Sequence, residues 1–495
     1  FFKQKTAYEM LRSLVGSEMC IRDRDIIIKS MSTNRYIEIV PTNVPSTGVI
    51  SFKGGNPVIQ FIIGASDHYL LGSSIRIAGD FQCWENSTTL LPASSVAAMD
   101  AKTGLYSCFN QLVIKNHGQF STIEQIKSYN RFMASYLPVT SALSDTIGHF
   151  SNTALTTSNY NLTKGQNNHN GQADGKRPQN SFSIHLPSGF LLGQQPIWLS
   201  EQGGINGLVL ELHLESDNNV FHANVETPGV DDGPNISDCF YQFSNLKLTA
   251  ELVEPDSATI ASLKSSAGST YAYNSISSYY TSINSTQAIV NFNLGLRNVL
   301  GAFANFIPSQ RINNYKYNGM ETRWLYNGSA GVNGPAVITN LIWTKGGTKY
   351  PLNYDVETIQ KDAPSNLTSD PEVIRSFIDS VVQFSKPSRC SVSPNNTFYQ
   401  VGAVGAPNTT VSPISTDNQW INNGVIAGIG QSYDQVSNQG VDFSRQNFGI
   451  QMTCDLTTDN PTGLYLFIHS RQTLVLSLIH ISEPTRLLSI SYAVF

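Results

Sequence analysis

Apolar and polar residues alternate strictly between positions 207 and 215, where every second residue from Leu208 to Leu214 is leucine. This period of two indicates a β-strand with one face in a core. A longer strand is predicted at 240–253, after a loop rich in Asp, Gly and Pro, and another at 182–189, which ends in a Pro-Gly turn. Long strands, long polar loops and little helix predict an all-β, antiparallel sandwich.

The predicted elements return in the same order in the second half of the chain. Each half also carries a Ser-x-x-Glu capping box, at Ser121–Glu124 and Ser369–Glu372, which predicts one helix, the first ending before Pro138. Gly346-Gly347 predicts a hairpin. Further strands are expected at 36–40, 49–52, 58–63, 74–78, 108–114, 287–306, 341–352, 448–456 and 464–475. The chain is therefore predicted to be two tandem jelly-roll sandwiches, each with a short helix in a long inter-strand loop.

The two ends of the chain mirror each other at the level of DNA. Residues 18–24 can be encoded by a sequence whose opposite strand encodes residues 476–482, and the relation continues outward on both sides. Two unrelated protein segments have no reason to share one DNA in this way. We interpret 1–24 and 476–495 as translated sequencing adapter, in preference to an amphipathic N-terminal helix. The first jelly roll is then expected at 25–254 and the second, with a truncated C-terminus, at 255–475.

Charged residues make up only 14% of the chain, against about 25% in ordinary globular proteins. The formal net charge is −5, which argues against a surface that coats nucleic acid. A chain that is poor in charge often hides surface in subunit contacts. No apolar run approaches the ~18–20 residues of a membrane span. Five cysteines between the end segments lack CxxC spacing and are predicted as buried or free thiols in a reducing compartment: Cys83, Cys108, Cys239, Cys390 and Cys454.

The strongest candidate for a metal site is the run Glu211, His213 and Glu215, because a histidine flanked by carboxylates can bind a metal. No third run of ligands lies nearby, so we expect these side chains to face solvent or a subunit contact. Asp231-Asp232-Gly233 is predicted as a turn, since the alternating ligands of a calcium loop are absent. The glycines of 424–430 lack the order of a phosphate loop.

The sequence shows no GxSxG elbow and no triad signature. We therefore expect no catalytic, cofactor-binding or metal residues, and a protein that is not an enzyme. A carboxylate pair for glycoside hydrolysis is set by distance in space and cannot be read from spacing. A carbohydrate-binding, lectin-like or glycan-active sandwich thus stays open as the alternative, and it would account for the many Asn, Tyr and Trp residues.

Several stretches resemble double jelly-roll major capsid proteins. They are residues 182–192, 208–215 and 243–253 in the first half, and 349–352 and 463–469 in the second. Among such proteins the chain is most similar to those of polinton-like viruses, adintoviruses and related small eukaryotic double-stranded DNA viruses. The resemblance covers residues 31–475.

The resemblance implies a structural function. Such proteins form homotrimers whose six jelly rolls make a pseudo-hexagonal capsomer, and the capsomers tile an icosahedral shell around double-stranded DNA. The implied partners are further copies of the chain, penton and minor capsid proteins, without sequence-specific nucleic-acid binding. The implied location is the virion, with assembly in the host cytoplasm or nucleus. Residues 151–180 and 391–420 would form outward loops, and the family has no catalytic or cofactor residue to transfer.

Overall fold

The computed structural model describes residues 31–90, 97–100, 103–140, 180–193, 195–223, 236–265, 270–309, 312–315, 319–320, 337–350, 356–357, 376–377, 379–381, 429–433, 440–455 and 462–475. Several predictions lie outside these residues. They are the end segments 1–24 and 476–495, the loops 151–179 and 391–420, the turn 231–233 and residues 424–428.

The described residues up to Pro255 form two facing antiparallel sheets and a small two-stranded one. The strands are β1 (Met31–Ile39), β2 (Val49–Ile50), β3 (Val58–Ile63), β4 (Tyr69–Trp84), β5 (Ala97–Met99), β6 (Phe109–Asn116), β7 (Thr122–Lys127), β8 (Asn180–His185), β9 (Ile197–Trp198), β10 (Leu208–Leu214), β11 (Phe221–Ala223) and β12 (Phe240–Pro255). One sheet has the order β1-β12-β4-β8, with β2 on β12 and β9 on β4, and the other β3-β10-β6-β7. The first strand pairs with the last, which is the jelly-roll arrangement.

The described residues from Thr270 onward repeat this arrangement. Their strands are β13 (Thr270–Ile283), β14 (Gln287–Phe292), β15 (Val299–Pro308), β16 (Val337–Lys345), β17 (Thr348–Lys349), β18 (Val356–Glu357), β19 (Ile429–Ser432), β20 (Phe448–Asp455) and β21 (Thr462–Val475). The sheets run β13-β21-β15-β19 and β14-β20-β16-β17, with β18 on β16. The prediction of an all-β double jelly roll is confirmed.

Helices are short in the described part of the chain. They are α1 (Tyr129–Thr140), α2 (Asp217–Val220) and α3 (Ser257–Ser265), with 3-10 turns at Gly104–Cys108 and Ile236–Asp238. Helix α1 lies in the loop between β7 and β8. Residues 376–377 and 379–381 are helical in the loop between β18 and β19. Each jelly roll therefore has the predicted helix in an inter-strand loop.

The predicted start of the first helix was wrong. The capping box at Ser121 does not open a helix, because Thr122–Lys127 is strand β7, which pairs with β6. The free edge of β6 offers a full ladder of backbone hydrogen bonds, and this pairing outweighs a local capping signal. Ser128 breaks the strand with a φ of +52°, and its carbonyl accepts the N–H groups of Arg131 and Phe132. The helix also continues past Pro138, to Thr140.

The core confirms the alternation seen in the sequence. The four leucines of β10 are at most 4% exposed. Cys83, Cys108 and Cys239 are buried free thiols, as predicted. The hairpin between β16 and β17 turns at Gly346 and Gly347, whose φ angles of +58° and +82° suit a turn that few other residues adopt.

Candidate functional site

The largest buried contact outside the two sandwich cores joins the jelly rolls to each other. All nine residues Thr462–Ser470 of β21 are buried, so both faces of this strand are covered. One face points into the second sandwich. The other lies under helix α1 of the first jelly roll, where the Phe132 ring is 5.8 Å from the Phe303 ring and 5.5 Å from the Phe467 ring, centroid to centroid. We call this contact the junction.

Arg131 places a charged group in the junction, although only 4% of it is exposed. Its guanidinium carbon lies 4.8 Å from the centroid of the Tyr465 ring, a cation–π geometry. Asn305 reaches across from β15 and donates from Nδ2 to the Arg131 carbonyl at 2.8 Å and to Ser135 Oγ at 2.9 Å. The helix is therefore fixed to the second jelly roll by polar contacts as well as by ring packing.

Glu215 belongs to this buried network, and the prediction that it faces solvent or a subunit contact was wrong. It is 6% exposed and lies 3.6 Å from Arg131. Its carboxylate accepts hydrogen bonds from Asn130 Nδ2 at 2.8 Å and Asn219 Nδ2 at 3.0 Å. The register of β10 against β6 shifts between His213 and Leu214, and this irregularity at the strand end breaks the simple alternation on which the prediction depended.

Glu211 and His213 lie on the partly exposed face of β10, as predicted. The Glu211 carboxylate is bound by Lys115 at 2.8 Å and by Gln60 Nε2 at 3.0 Å, while His213 Nε2 is 3.8 Å away. Because Glu215 turns away into the junction, the three side chains of the candidate metal site do not come together. Across the described residues, no group of three or more His, Cys, Asp or Glu side chains could hold a metal ion.

At the second part of the junction, an edge strand of each jelly roll meets the other. Glu124 of β7 accepts the Ile276 N–H of β13 at 2.7 Å and the Phe190 N–H at 3.0 Å. Lys127 N–H donates to Ser278 Oγ at 2.8 Å. Side chains thus take up hydrogen-bonding groups that an exposed edge would leave open, and the two edges meet without forming one sheet. Burial raises the pKa of Glu124, against the effect of the two amide donors.

The turn after β8 approaches the second jelly roll so closely that only glycine fits. A Cβ atom on Gly189 would lie 1.5 Å from the carbonyl oxygen of Asn274 in β13. Beside it, the Phe190 ring stands edge-on to the Tyr273 ring, with centroids 5.2 Å apart. Burial raises the pKa of Tyr273, whose hydroxyl donates to the Ile123 carbonyl at 3.0 Å. Backbone, rings and polar groups all fix the same relative position of the two units.

A shallow polar cleft lies away from the junction, between the loops after β3 and β9 and helix α3. Its carboxylate, Asp67, is held by Lys264 Nζ at 2.5 Å and by Ser200 Oγ at 2.8 Å. The hydrogen bond from Lys264 lowers the pKa of Asp67. The carboxylate is thus already paired within the chain. No helix in the described ranges is long and apolar enough to cross a membrane.

A second partly buried carboxyl gives the fold a testable dependence on pH. Burial raises the pKa of Asp217 to about 6 from its usual value of 3.8, although Tyr241 N–H donates to it at 3.2 Å. Because the folded state holds this proton more tightly than the unfolded chain, the folded state loses stability as the pH rises from about 4 through about 6.

Asp217→Asn is therefore expected to raise the free energy of unfolding at pH 8 by about 1–2 kcal/mol, after allowance for partial exposure. The asparagine keeps an oxygen acceptor for the Tyr241 amide but has no charge to ionise. At pH 4 the variant and the parent should unfold alike in urea. An equal gain at both pH values would show that the charge is not the cause.

No protein-family model matches the chain, and no curated protein sequence matches it. Several solved structures do match. VP54 of PBCV-1 superposes with a TM-score of 0.50 at 10% identity, over 90% of this chain and 95% of that one. The likeness is one of fold. The Faustovirus major capsid protein gives 0.50 at 9% identity, over 95% and 98% of the two chains, and a second PBCV-1 capsid structure gives 0.50 at 11%, over 90% and 95%. These neighbours are double jelly-roll capsid proteins.

Sequence reasoning missed the junction, although one signal was present. Arg131 is the only charged residue of α1. A single charge in an otherwise neutral helix is unusual for a surface helix, whose polar face normally carries several charges. Glu124 gave no such signal, because its place in a capping box offered a simpler explanation.

Proposed function

We propose that the protein is a major capsid protein of a double-stranded DNA virus. One observation carries the proposal: two jelly rolls with the same strand order are fixed to each other by a buried junction, in a fold shared with viral capsid proteins over at least 90% of both chains in the three superpositions above. A rigid two-unit subunit that presents similar outer surfaces twice suits a shell made of many copies.

The finer parts of this proposal concern assembly. Three copies would form a homotrimeric, pseudo-hexameric capsomer, and capsomers would tile an icosahedral shell in the virion. Penton and minor capsid proteins of the same virus would be further partners, with assembly in the host cytoplasm or nucleus. The low charge content supports extensive subunit contact. The loose sequence resemblance supports the polinton-like and adintovirus group.

Two further parts concern the chain itself. Its folding domains would be 25–254 and 255–475, because the described strands on either side of Pro255 enter different sheets. The segments 1–24 and 476–495 would be translated adapter, because their coding sequences are reverse complements. The protein would have no enzymatic activity, since the carboxylates described above are taken up by partners within the chain.

The test is to express the full chain and residues 25–475 and to measure particle mass by light scattering, followed by electron microscopy. We expect both forms to reach three times the chain mass and to give pseudo-hexagonal particles. A full chain that stays monomeric at high concentration would contradict the capsid function. A full chain that assembles while 25–475 melts many degrees lower would contradict only the adapter interpretation.

A further inference from the structure

The two jelly rolls carry one sheet face in two different states. In each roll the first strand pairs with the last, and a tyrosine lies three residues before the end of the first strand: Tyr36 in β1 and Tyr280 in β13. The cross-strand partner of Tyr280 is Tyr465, and that of Tyr36 is Glu251. Glu251 of the first roll thus holds the position that Tyr465 holds in the second.

In the second roll this face is closed by a helix. Tyr465 is 6% exposed, and Arg131 of α1 lies over its ring. In the first roll, the same face is open in the structure of the single chain, where Tyr36 is 74% exposed. Val40, just beyond the end of β1, is also 72% exposed. Large apolar side chains left open at an edge strand are typical of an interaction surface.

The open face is organised around a carboxylate. Asn34 Nδ2 donates to Glu251 Oε1 at 2.8 Å, and the Tyr36 hydroxyl donates to Oε2 at 3.4 Å. Both donors are neutral. The neighbouring Glu38 is paired with Lys247 at 2.9 Å, but no cation among the described residues forms an ion pair with Glu251. Glu251 is therefore oriented within the chain and leaves a place for a positive group from outside it.

We propose that a second copy of the chain docks on this face, in the way that α1 docks on the second roll within one chain, and that Glu251 pairs with an arginine of that copy. The proposal rests on the proposed capsid function, which requires copies to bind each other. The occupant is the inter-strand helix of the other copy's second jelly roll, at 376–381. In sequence, Arg375 comes directly before these helical residues, as Arg131 lies in the first turn of α1.

The chemistry of the two contacts differs, because a carboxylate replaces a ring. Within one chain the arginine meets the Tyr465 ring under cover of packed aromatic side chains. Between copies it meets Glu251 on a partly exposed face, so the pairing is an ion pair open to screening by salt. We therefore infer that assembly of copies weakens as ionic strength rises, under conditions in which the two jelly rolls of one chain stay joined.

The test measures the association constant of the full chain by analytical ultracentrifugation at low and high salt. Glu251→Gln removes the charge with little change of shape and should weaken association by about tenfold at low salt, the effect of one well-placed ion pair. Glu251→Arg and Arg375→Glu should each weaken it further. The double variant Glu251→Arg/Arg375→Glu should recover most of the loss. Glu201→Arg, which changes an exposed carboxylate elsewhere, is the matched control and should associate like the parent.

The outcomes separate the two proposals. If the parent associates and Glu251→Gln associates equally well, the docking face is wrong while the capsid function stands. If the single variants weaken association and the double variant does not recover it, the pairing with Arg375 is overturned. A parent that remains monomeric contradicts the capsid function itself. Melting temperatures close to the parent's are required of every variant, and Glu251→Gln keeps the test decisive if a charge reversal unfolds the chain.

Discussion

Phe132→Ala should lower the free energy of unfolding by about 3–5 kcal/mol, the usual cost of removing a fully buried aromatic ring. The ring is 0% exposed and contacts Phe303 and Phe467 of the second jelly roll as well as Tyr136 of its own helix. No side chain of α1 can fill the space, because the helix is fixed on both sides. The loss should appear in urea unfolding followed by fluorescence and by circular dichroism.

Phe120→Ala is the matched control for this substitution. Phe120 is 65% exposed at the tip of the β6–β7 hairpin, so its removal should change stability by no more than about 0.5 kcal/mol. Because Phe132 lies in the junction, its loss should also separate the unfolding of the two jelly rolls into two transitions. A single transition with unchanged midpoint would show that the junction contributes little to the stability of the chain.

Glu124→Ala should lower the free energy of unfolding by about 2–6 kcal/mol, since two buried amides lose their acceptor at about 1–3 kcal/mol each. These amides, at Ile276 and Phe190, lie in different jelly rolls. Glu124→Gln should cost less, because its side chain retains one oxygen acceptor while its NH₂ group faces the other donor. The order parent, Gln, Ala is the expected ranking in urea unfolding.

Glu201→Ala is the corresponding control, because this carboxylate is exposed and its removal should cost no more than about 0.5 kcal/mol. If Glu124→Ala and Glu201→Ala are equally mild, the desolvation cost of the buried carboxylate has cancelled its hydrogen bonds. That result would contradict the interpretation of Glu124 as the residue that holds the two edges together.

The sequence predicted well the elements whose environment is the same along their whole length. The strand β10 was predicted from its leucines with the bounds that the structure has, and Gly346-Gly347 marked its hairpin. Both signals are local: one is a period of two, and the other is a backbone conformation that glycine favours. Such features need no knowledge of the rest of the chain.

Elements at the junction could not be predicted in this way. Strand β13 mixes serine and tyrosine without a clear alternation, because its two faces contact two different jelly rolls. Glu124 and Glu215 are carboxylates on strands that look half-exposed in sequence, and only tertiary contacts supply the donors that bury them. The sequence pattern reports the burial of a residue within its own sandwich, whereas the second sandwich arrives from elsewhere in the chain.

The pairing of first strand with last also has a consequence in time. Glu38 of β1 meets Lys247 of β12, 209 residues later. At about 5–20 residues per second of synthesis, β1 emerges from the ribosome about 10–40 s before its partner exists. During that interval the edge of β4 that β12 later takes is also open, and chains growing on the same messenger expose the same edges side by side. Closure of each roll by its last strand thus sets the moment at which a nascent chain becomes safe from its neighbours.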